Sequence, residues 1–454
     1  MRRLRFYLAI MLGKLAGSMS RLFGRGKGAV LPGTVAGFLM PDLLSLLSGM
    51  VEKDVFVVTG TNGKTTVNRM ICECLEREGE QVVCNRTGAN LPAGVLSAFV
   101  EAAGFTGRLT ADYACLEVDE LAAEEILGQM KPDVVILTNI FRDQLDRSGE
   151  VDRTLERLEG ALRLVKNAKV IYNGDDCLLR RIAIRCENPQ AAYGIEETFC
   201  GEAFQSGNRE GSFCWFCGSR LEYRRIQYGQ LGDYRCPGCG FGRPEPRYTA
   251  SDIRRLENWY SFALNGRPVL ARTCSPYEVY NTLAAYSALR ESQAPMGHFR
   301  EGVAGFDYGN RREPVFLIGD SRVQLHLAKN PVGFQQKLAL LAQDPEPKDL
   351  VFQINDEVPD GRDVSWLWDV EFERLLGTEV KMVVVTGSRR YDMEVRLKYE
   401  NIPCLVSKEL LKPIRELLRT GTGNLYVIVN YSGLYRTGRL LRKLRRTEKG
   451  EWRN

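Results

Sequence analysis

The chain has 454 residues, of which 26% are charged and 44% hydrophobic. That is enough chain for two or three domains with ordinary cores, and it excludes a disordered or low-complexity protein. A formal net charge of +5 is too small to mark a nucleic-acid binder, and no interleaving of aromatic and basic residues suggests one.

Residues 1–48 are basic and amphipathic. Arg2, Arg3, Arg5, Lys14, Arg21, Arg25 and Lys27 interleave with Phe6, Leu8, Ile10, Met11, Leu12 and Leu15. The apolar stretch 6–13 is too short to span a bilayer. Two placements follow: a helix packed on the next domain, or an interfacial helix on anionic lipid. A peripheral membrane contact is compatible with both. No signal peptide is evident, so the thirteen cysteines are expected in a reducing, cytoplasmic compartment.

Residues 49–300 alternate strand and helix patterns. The apolar run Val55-Phe56-Val57-Val58-Thr59 ends in Gly60-Thr61-Asn62-Gly63-Lys64-Thr65-Thr66, and a helical pattern follows from Val67. A strand, a glycine-rich turn and a helix in this order can cradle a polyphosphate on backbone N–H groups and the positive helix end. Lys64 would reach the terminal phosphates, and the Thr65 hydroxyl would hold Mg²⁺. The usual phosphate-loop pattern has a glycine where Val58 stands. The plain alternative is a βα turn with a surface lysine.

Further strands are expected at 81–84, 112–119, 132–139 and 168–173. This is an α/β pattern with a mainly parallel sheet, and ligands bind at the carboxyl ends of such strands. Glu117 ends one of them. It is either an oxygen ligand for Mg²⁺ or, with Asp119 and Glu120, a solvated strand end. Asn173-Gly174-Asp175-Asp176 can cap the following helix.

Cys214-Trp-Phe-Cys217 and Cys236-Pro-Gly-Cys239 are separated by eighteen residues. Two such knuckles at this spacing are a strong zinc signal, and four thiolates with no open position make the metal structural. A zinc ribbon held by these four cysteines and inserted at 200–247 is expected, with two redox dithiols as the alternative. Its setting inside the phosphate-loop domain suggests a scaffold or docking role.

Residues 301–454 show a second α/β alternation, with strands at 351–356, 382–389 and 426–431. Asp356 ends the first of these, and Asp360 and Asp363 lie in the loop that follows, where Asp363 can cap a helix that begins near Ser365. The chain has two histidines, His298 and His326, and no Gly-x-Cys-x-Gly turn. It therefore lacks the nucleophile setting that a glutaminase needs.

The segment Gly-Thr-Asn-Gly-Lys-Thr-Thr resembles the nucleotide loop of the Mur ligase superfamily, whose members use ATP to activate a carboxylate as an acyl phosphate. The resemblance implies ATP contacts at Gly60, Thr61, Asn62, Gly63, Lys64, Thr65, Thr66, Asp175 and Asn281, with magnesium on Thr65 and Glu117. Asn281 sits in Tyr280-Asn281-Thr282-Leu283-Ala284-Ala285-Tyr286, which is similar to a superfamily helix. Residues 138–150 resemble another superfamily segment, but Gln144 and Ser148 replace its histidines. Cys274-Ser275-Pro276-Tyr277 is a further departure, and Asn310-Arg311-Arg312-Glu313 resembles the crossing to the last domain.

Leu327-Ala328-Lys329-Asn330-Pro331-Val332-Gly333 and the Asn355 to Trp366 stretch, together with the cysteine insert, resemble the MurT family. These are the Mur-ligase-like subunits of lipid II isoglutaminyl synthases. The resemblance implies ATP-dependent amidation of the D-glutamate α-carboxylate of lipid II, with ammonia from a GatD-like glutaminase partner. It also implies that an aspartate, by motif order Asp363, completes the partner's Cys–His pair; Asp356 and Asp360 are rivals. The expected catalytic set is Lys64, Glu117 and Asp363. The competing readings are an autonomous amino-acid ligase and a zinc-ribbon nucleic-acid ATPase.

Overall fold

A computed structural model of the chain describes residues 2–22, 30–142, 151–200, 210–256, 259–273, 275–308, 315–358 and 360–451. Gln144, Ser148, Cys274 and the 310–313 segment lie outside the described residues.

The first sheet has nine strands. Its centre is built from short β-branched runs: β1 (Val55–Thr59), β2 (Val82–Cys84), β3 (Tyr113–Glu117), β4 (Val134–Leu137), β5 (Lys169–Asn173) and β6 (Gln190–Ile195). These pair in parallel in the order β2-β3-β1-β4-β5-β6. Successive side chains point to opposite faces. Val55 and Val57 therefore enter one core with Ala114, Leu116, Val135 and Leu137, while Phe56 and Val58 enter the other with Cys115, Val134 and Ile136. A strand buried on both faces needs a continuous apolar run, which is what these sequences supply.

The helix Lys64–Arg77 covers the second face with Val67, Met70, Ile71, Cys74 and Leu75, one stripe at helical spacing. The helices Tyr277–Glu291 and Phe299–Ala304 cover the same face. Beyond β6 the sheet continues through β9 (Tyr248–Leu256), β10 (Trp259–Leu264) and β11 (Arg267–Ala271). The last two pairings are antiparallel, an extension the strand pattern did not signal. The cysteine module carries its own hairpin, β7 (Glu222–Tyr228) with β8 (Leu231–Arg235). It leaves and rejoins between β6 and β9, which pair with each other.

The N-terminal segment forms the helices Arg2–Leu22, Leu31–Leu39 and Leu43–Ser48. Ala9, Ile10, Ala36 and Leu43 are buried in the first core against Val95, Phe99 and Val100 of the helix Pro92–Ala102. The packed-helix placement therefore holds. Leu4, Leu8, Met11, Leu15 and Met19 stay exposed on the first helix.

The second sheet runs β12 (Val315–Ile318), β13 (Ser321–Leu327), β17 (Asn424–Val429), β14 (Lys348–Gln353), β15 (Val380–Thr386) and β16 (Leu405–Val406) in spatial order. All its neighbours are parallel except β12 and β13. Phe334, Phe352 and Phe372 fill one face; Val351, Val427, Ile414 and Leu441 fill the other. The two α/β units meet where Asn330 Nδ2 donates to Asn62 Oδ1 at 3.3 Å.

Candidate active site

A cavity of about 360 Å³ opens at the carboxyl ends of β1 and β3, between the two sheets. That is within the usual size of a small-molecule site. The phosphate-loop turn forms its floor. Gly60 (φ 125°) and Gly63 (φ 87°) hold left-handed backbone, which side chains other than glycine adopt at a cost. Space forbids them as well: a Cβ on Gly60 would lie 2.4 Å from Thr138 Oγ1, and one on Gly63 would lie 2.2 Å from Asn281 Oδ1.

The loop is gripped by the residues after β4. Thr61 N donates to the Asn139 carbonyl at 2.8 Å. Asn62 N donates to Asn139 Oδ1 at 2.9 Å, and Asn139 Nδ2 returns a bond to Asn62 O at 3.1 Å. Lys64 is buried, and its ammonium donates to Glu120 Oε2 at 2.9 Å and to the Gly60 and Thr61 carbonyls. Burial alone would lower its pKa, but the charges of Glu120 and Glu117 outweigh it and hold the ammonium above its ordinary range. Lys64 is thus a permanent cation waiting on a carboxylate.

Thr65 Oγ1 donates to Glu117 Oε2 at 2.6 Å. Asn90 Nδ2 donates to the other oxygen of Glu117 at 3.2 Å, and Asn85 holds the Glu117 backbone through two bonds of 2.8 Å. A fixed hydroxyl and a fixed carboxylate, side by side, are the hard oxygen donors that Mg²⁺ takes alongside phosphate oxygens. The donor set fits that ion. Asn281 lines the cavity, with Nδ2 donating to Glu278 Oε2 at 2.8 Å.

Of the expected nucleotide contacts, the structure brings Thr61, Asn62, Gly63, Lys64, Thr65, Thr66, Glu117 and Asn281 to one cavity. Gly60 is buried in the same turn, its carbonyl accepting from the Lys64 ammonium. Asp175 is not on its wall. Instead, Asp175 is buried and accepts from Arg243 Nε at 2.6 Å, Tyr280 OH at 2.6 Å and Ile195 N at 2.9 Å. Burial raises its pKa, opposed by Arg243. It ties the ribbon to the host domain. Sequence reading missed Asn90, Tyr228, Tyr277 and Lys337 as wall residues. Asn90 follows a polar cluster after β2 that could have flagged it, whereas Tyr228 and Lys337 carry no local signal.

The four cysteine sulfurs lie within 4.8 Å of one another. Gly218 N donates to the Cys214 carbonyl at 2.9 Å and Gly240 N to the Cys236 carbonyl at 3.1 Å, closing two matching knuckles. Four convergent thiols of this kind suit a tetrahedral zinc.

In the second unit, Asp363 accepts from Ser365 N at 2.8 Å and Ser365 Oγ at 2.9 Å, the local cap its sequence allows. Asp360 is buried, with one oxygen accepting from Ser432 N at 2.8 Å. Asp356 accepts from Ser388 Oγ at 2.6 Å and faces Arg389 at 3.7 Å.

The sequence pattern of the Mur ligase middle domain matches residues 58–234, and that of the MurT ligase C-terminal domain matches 327–434. The chain is 32% identical over 433 residues to the "Lipid II isoglutaminyl synthase (glutamine-hydrolyzing) subunit MurT" of Staphylococcus aureus (strain COL), spanning 95% of this chain and 96% of that one. The chain belongs to the MurT family. The MurT protein of Streptococcus pneumoniae (strain ATCC BAA-255 / R6) is 32% identical over 96% of this chain and 97% of its own. Solved structures share the MurT fold. A pseudomurein peptide ligase type C from Methanothermus fervidus superposes with TM-score 0.67 at 21% identity, covering 88% of this chain and 80% of that one. The MurF ligase from Thermotoga maritima in complex with ADP gives 0.64 at 16% identity, covering 92% and 85%. The expected α/β fold, a Mur-ligase-like unit followed by a second α/β unit, is the one observed.

Proposed function

We propose that the chain is the ATP-consuming subunit of a lipid II isoglutaminyl synthase in peptidoglycan synthesis. The Lys64, Thr65 and Glu117 constellation in one cavity carries the reading. The likeness to MurT proteins over nearly the whole chain supports lipid II as the substrate. Lys64 neutralises the γ-phosphoryl group as an oxygen of the D-glutamate α-carboxylate attacks phosphorus and ADP leaves. Thr65 and Glu117 would hold Mg²⁺, which when bound supplies charge neutralisation across the phosphate oxygens. Ammonia then attacks the acyl carbon, the C–O bond to the phosphate breaks, and inorganic phosphate leaves with the bonding electrons while the nitrogen gives up one proton to it.

The ammonia comes from a GatD-like glutaminase subunit. Asp363 orients the histidine of that subunit's Cys–His pair. It stands in a half-buried loop turn flanked by Val358 at 90% exposure and Trp368 at 49%, whereas Asp360 is sealed inside. The four cysteines hold structural zinc.

The protein works in the cytoplasm at the inner face of the membrane. No helix among the described residues is long and apolar enough to cross a membrane. The first helix carries Arg2, Arg3, Arg5, Lys14 and Arg21 and no acid, beside its exposed apolar row, as an interfacial helix does. Binding to vesicles containing anionic lipid, lost in a Leu8→Glu and Leu15→Glu variant, checks this placement.

The decisive experiment is reconstitution with the glutaminase subunit, lipid II, Mg·ATP and glutamine, read by the mass change of OH replaced by NH₂. Amidation that needs both chains is expected. Addition of a whole amino acid by this chain alone would overturn the proposal.

A further inference from the structure

The cysteine ribbon reaches into the cavity just described. Each strand of its hairpin springs from one knuckle: β7 begins five residues after Cys217, and β8 ends at the residue before Cys236. The turn between them, Gly229 and Gln230, points into the protein. Tyr228, 3% exposed, forms part of the cavity wall. Its ring meets Tyr280 edge-on at 5.9 Å and Phe141 at 6.1 Å. Gly229 (φ 55°) lies flat on Phe141, where an added Cβ would come within 2.6 Å of the ring. Gln230 is buried and donates its amide to the Ile140 carbonyl and to Asp176 Oδ1 at 3.4 Å. Asp176 in turn accepts from Ile140 N at 2.8 Å.

Ile140 and Phe141 belong to the loop that grips the phosphate-loop turn. Phe141 N donates to Thr61 Oγ1 at 3.0 Å, and that hydroxyl donates to the Phe141 carbonyl at 3.2 Å. An unbroken path of packed and hydrogen-bonded groups therefore runs from the cysteine cluster through the hairpin and Phe141 to Thr61. A two-stranded hairpin is marginal by itself. The buried tip holds one end of it, and a metal on the four cysteines would hold the other.

We infer that the ribbon is a brace of the nucleotide site. Metal on Cys214, Cys217, Cys236 and Cys239 fixes the hairpin, and the hairpin fixes Tyr228 and, through Phe141, the phosphate loop. The inference rests on reading the cavity as the nucleotide site. None of the four cysteines lines the cavity, so metal loss weakens nucleotide binding from a distance. Metal binding and local folding are one equilibrium in such modules.

The test uses the full chain and the equilibrium binding of Mg·ATP, followed by calorimetry, with zinc content measured on the same samples. Tyr228→Leu and Gln230→Ala leave all four thiols in place. They are expected to keep full zinc and to bind Mg·ATP at least tenfold more weakly. Chelator-stripped chain is expected to lose at least as much affinity and to regain it when zinc is returned. Tip variants with full zinc and parental affinity would overturn the inference. So would a metal-free chain with parental circular dichroism and unchanged affinity. If stripping unfolds the chain, the tip variants alone decide. A parent chain that binds no nucleotide would instead sink the reading of the cavity.

Discussion

The phosphate loop and the Asp363 loop occupy equivalent places. Each follows a central strand of a parallel sheet, β1 in one unit and β14 in the other, where ligands of α/β proteins gather. Their surroundings differ. Lys64 is walled in and already paired with Glu120, while Thr65 already touches Glu117. The Asp363 carboxylate rests on its neighbour Ser365, in a loop that also shows Val358 and Trp368 to solvent. The first region gathers within one chain the groups proposed for phosphoryl transfer. The second sets the part-exposed carboxylates of Asp356, Glu357 and Asp363 beside exposed apolar side chains, which suits the partner role proposed for Asp363. Enclosure is what separates the two regions.

Substitutions can pull the two regions apart. Asp363→Asn should lower glutamine-driven amidation about ten-thousand-fold, as the loss of a histidine-orienting carboxylate does, while reaction with free ammonia is spared. Equal loss of both would assign Asp363 to the ATP site. Lys64→Ala should lower both reactions by roughly a thousandfold, read as ADP release with either nitrogen donor. Retained ammonia-driven turnover would remove Lys64 from the mechanism.

Arg243→Ala leaves the buried Asp175 without its counter-charge, which should cost about 3–5 kcal/mol in denaturant unfolding; adding Asp175→Asn should recover most of it. A smaller effect is set by pH. Burial pushes Asp176 from 3.8 up to about 6. Between those values the folded chain holds a proton that the unfolded chain has lost. Stability from this group therefore falls as pH rises through that window and is level above it. The change corresponds to about 3 kcal/mol, and Asp176→Asn should flatten it in urea midpoints measured from pH 4 to 7.

Much of this protein is legible one residue at a time. The runs Val55 to Thr59 and Val134 to Leu137 dictate buried strands because alternate side chains must both find cores. Gly60, Gly63, Lys64 and Thr65 dictate the loop because its backbone and charge requirements are local. The spacing of the two Cys-x-x-C pairs dictates the cluster for the same reason. What tertiary structure alone decided are the meetings between distant segments. Asp175 turned inward to Arg243 rather than toward the cavity, Glu120 came to rest on Lys64, and Tyr228 reached the cavity from an inserted ribbon. Periodicity and spacing record what a residue meets within its own element. Which way a turn faces depends on the packing of elements far apart in the chain, and no local pattern encodes it.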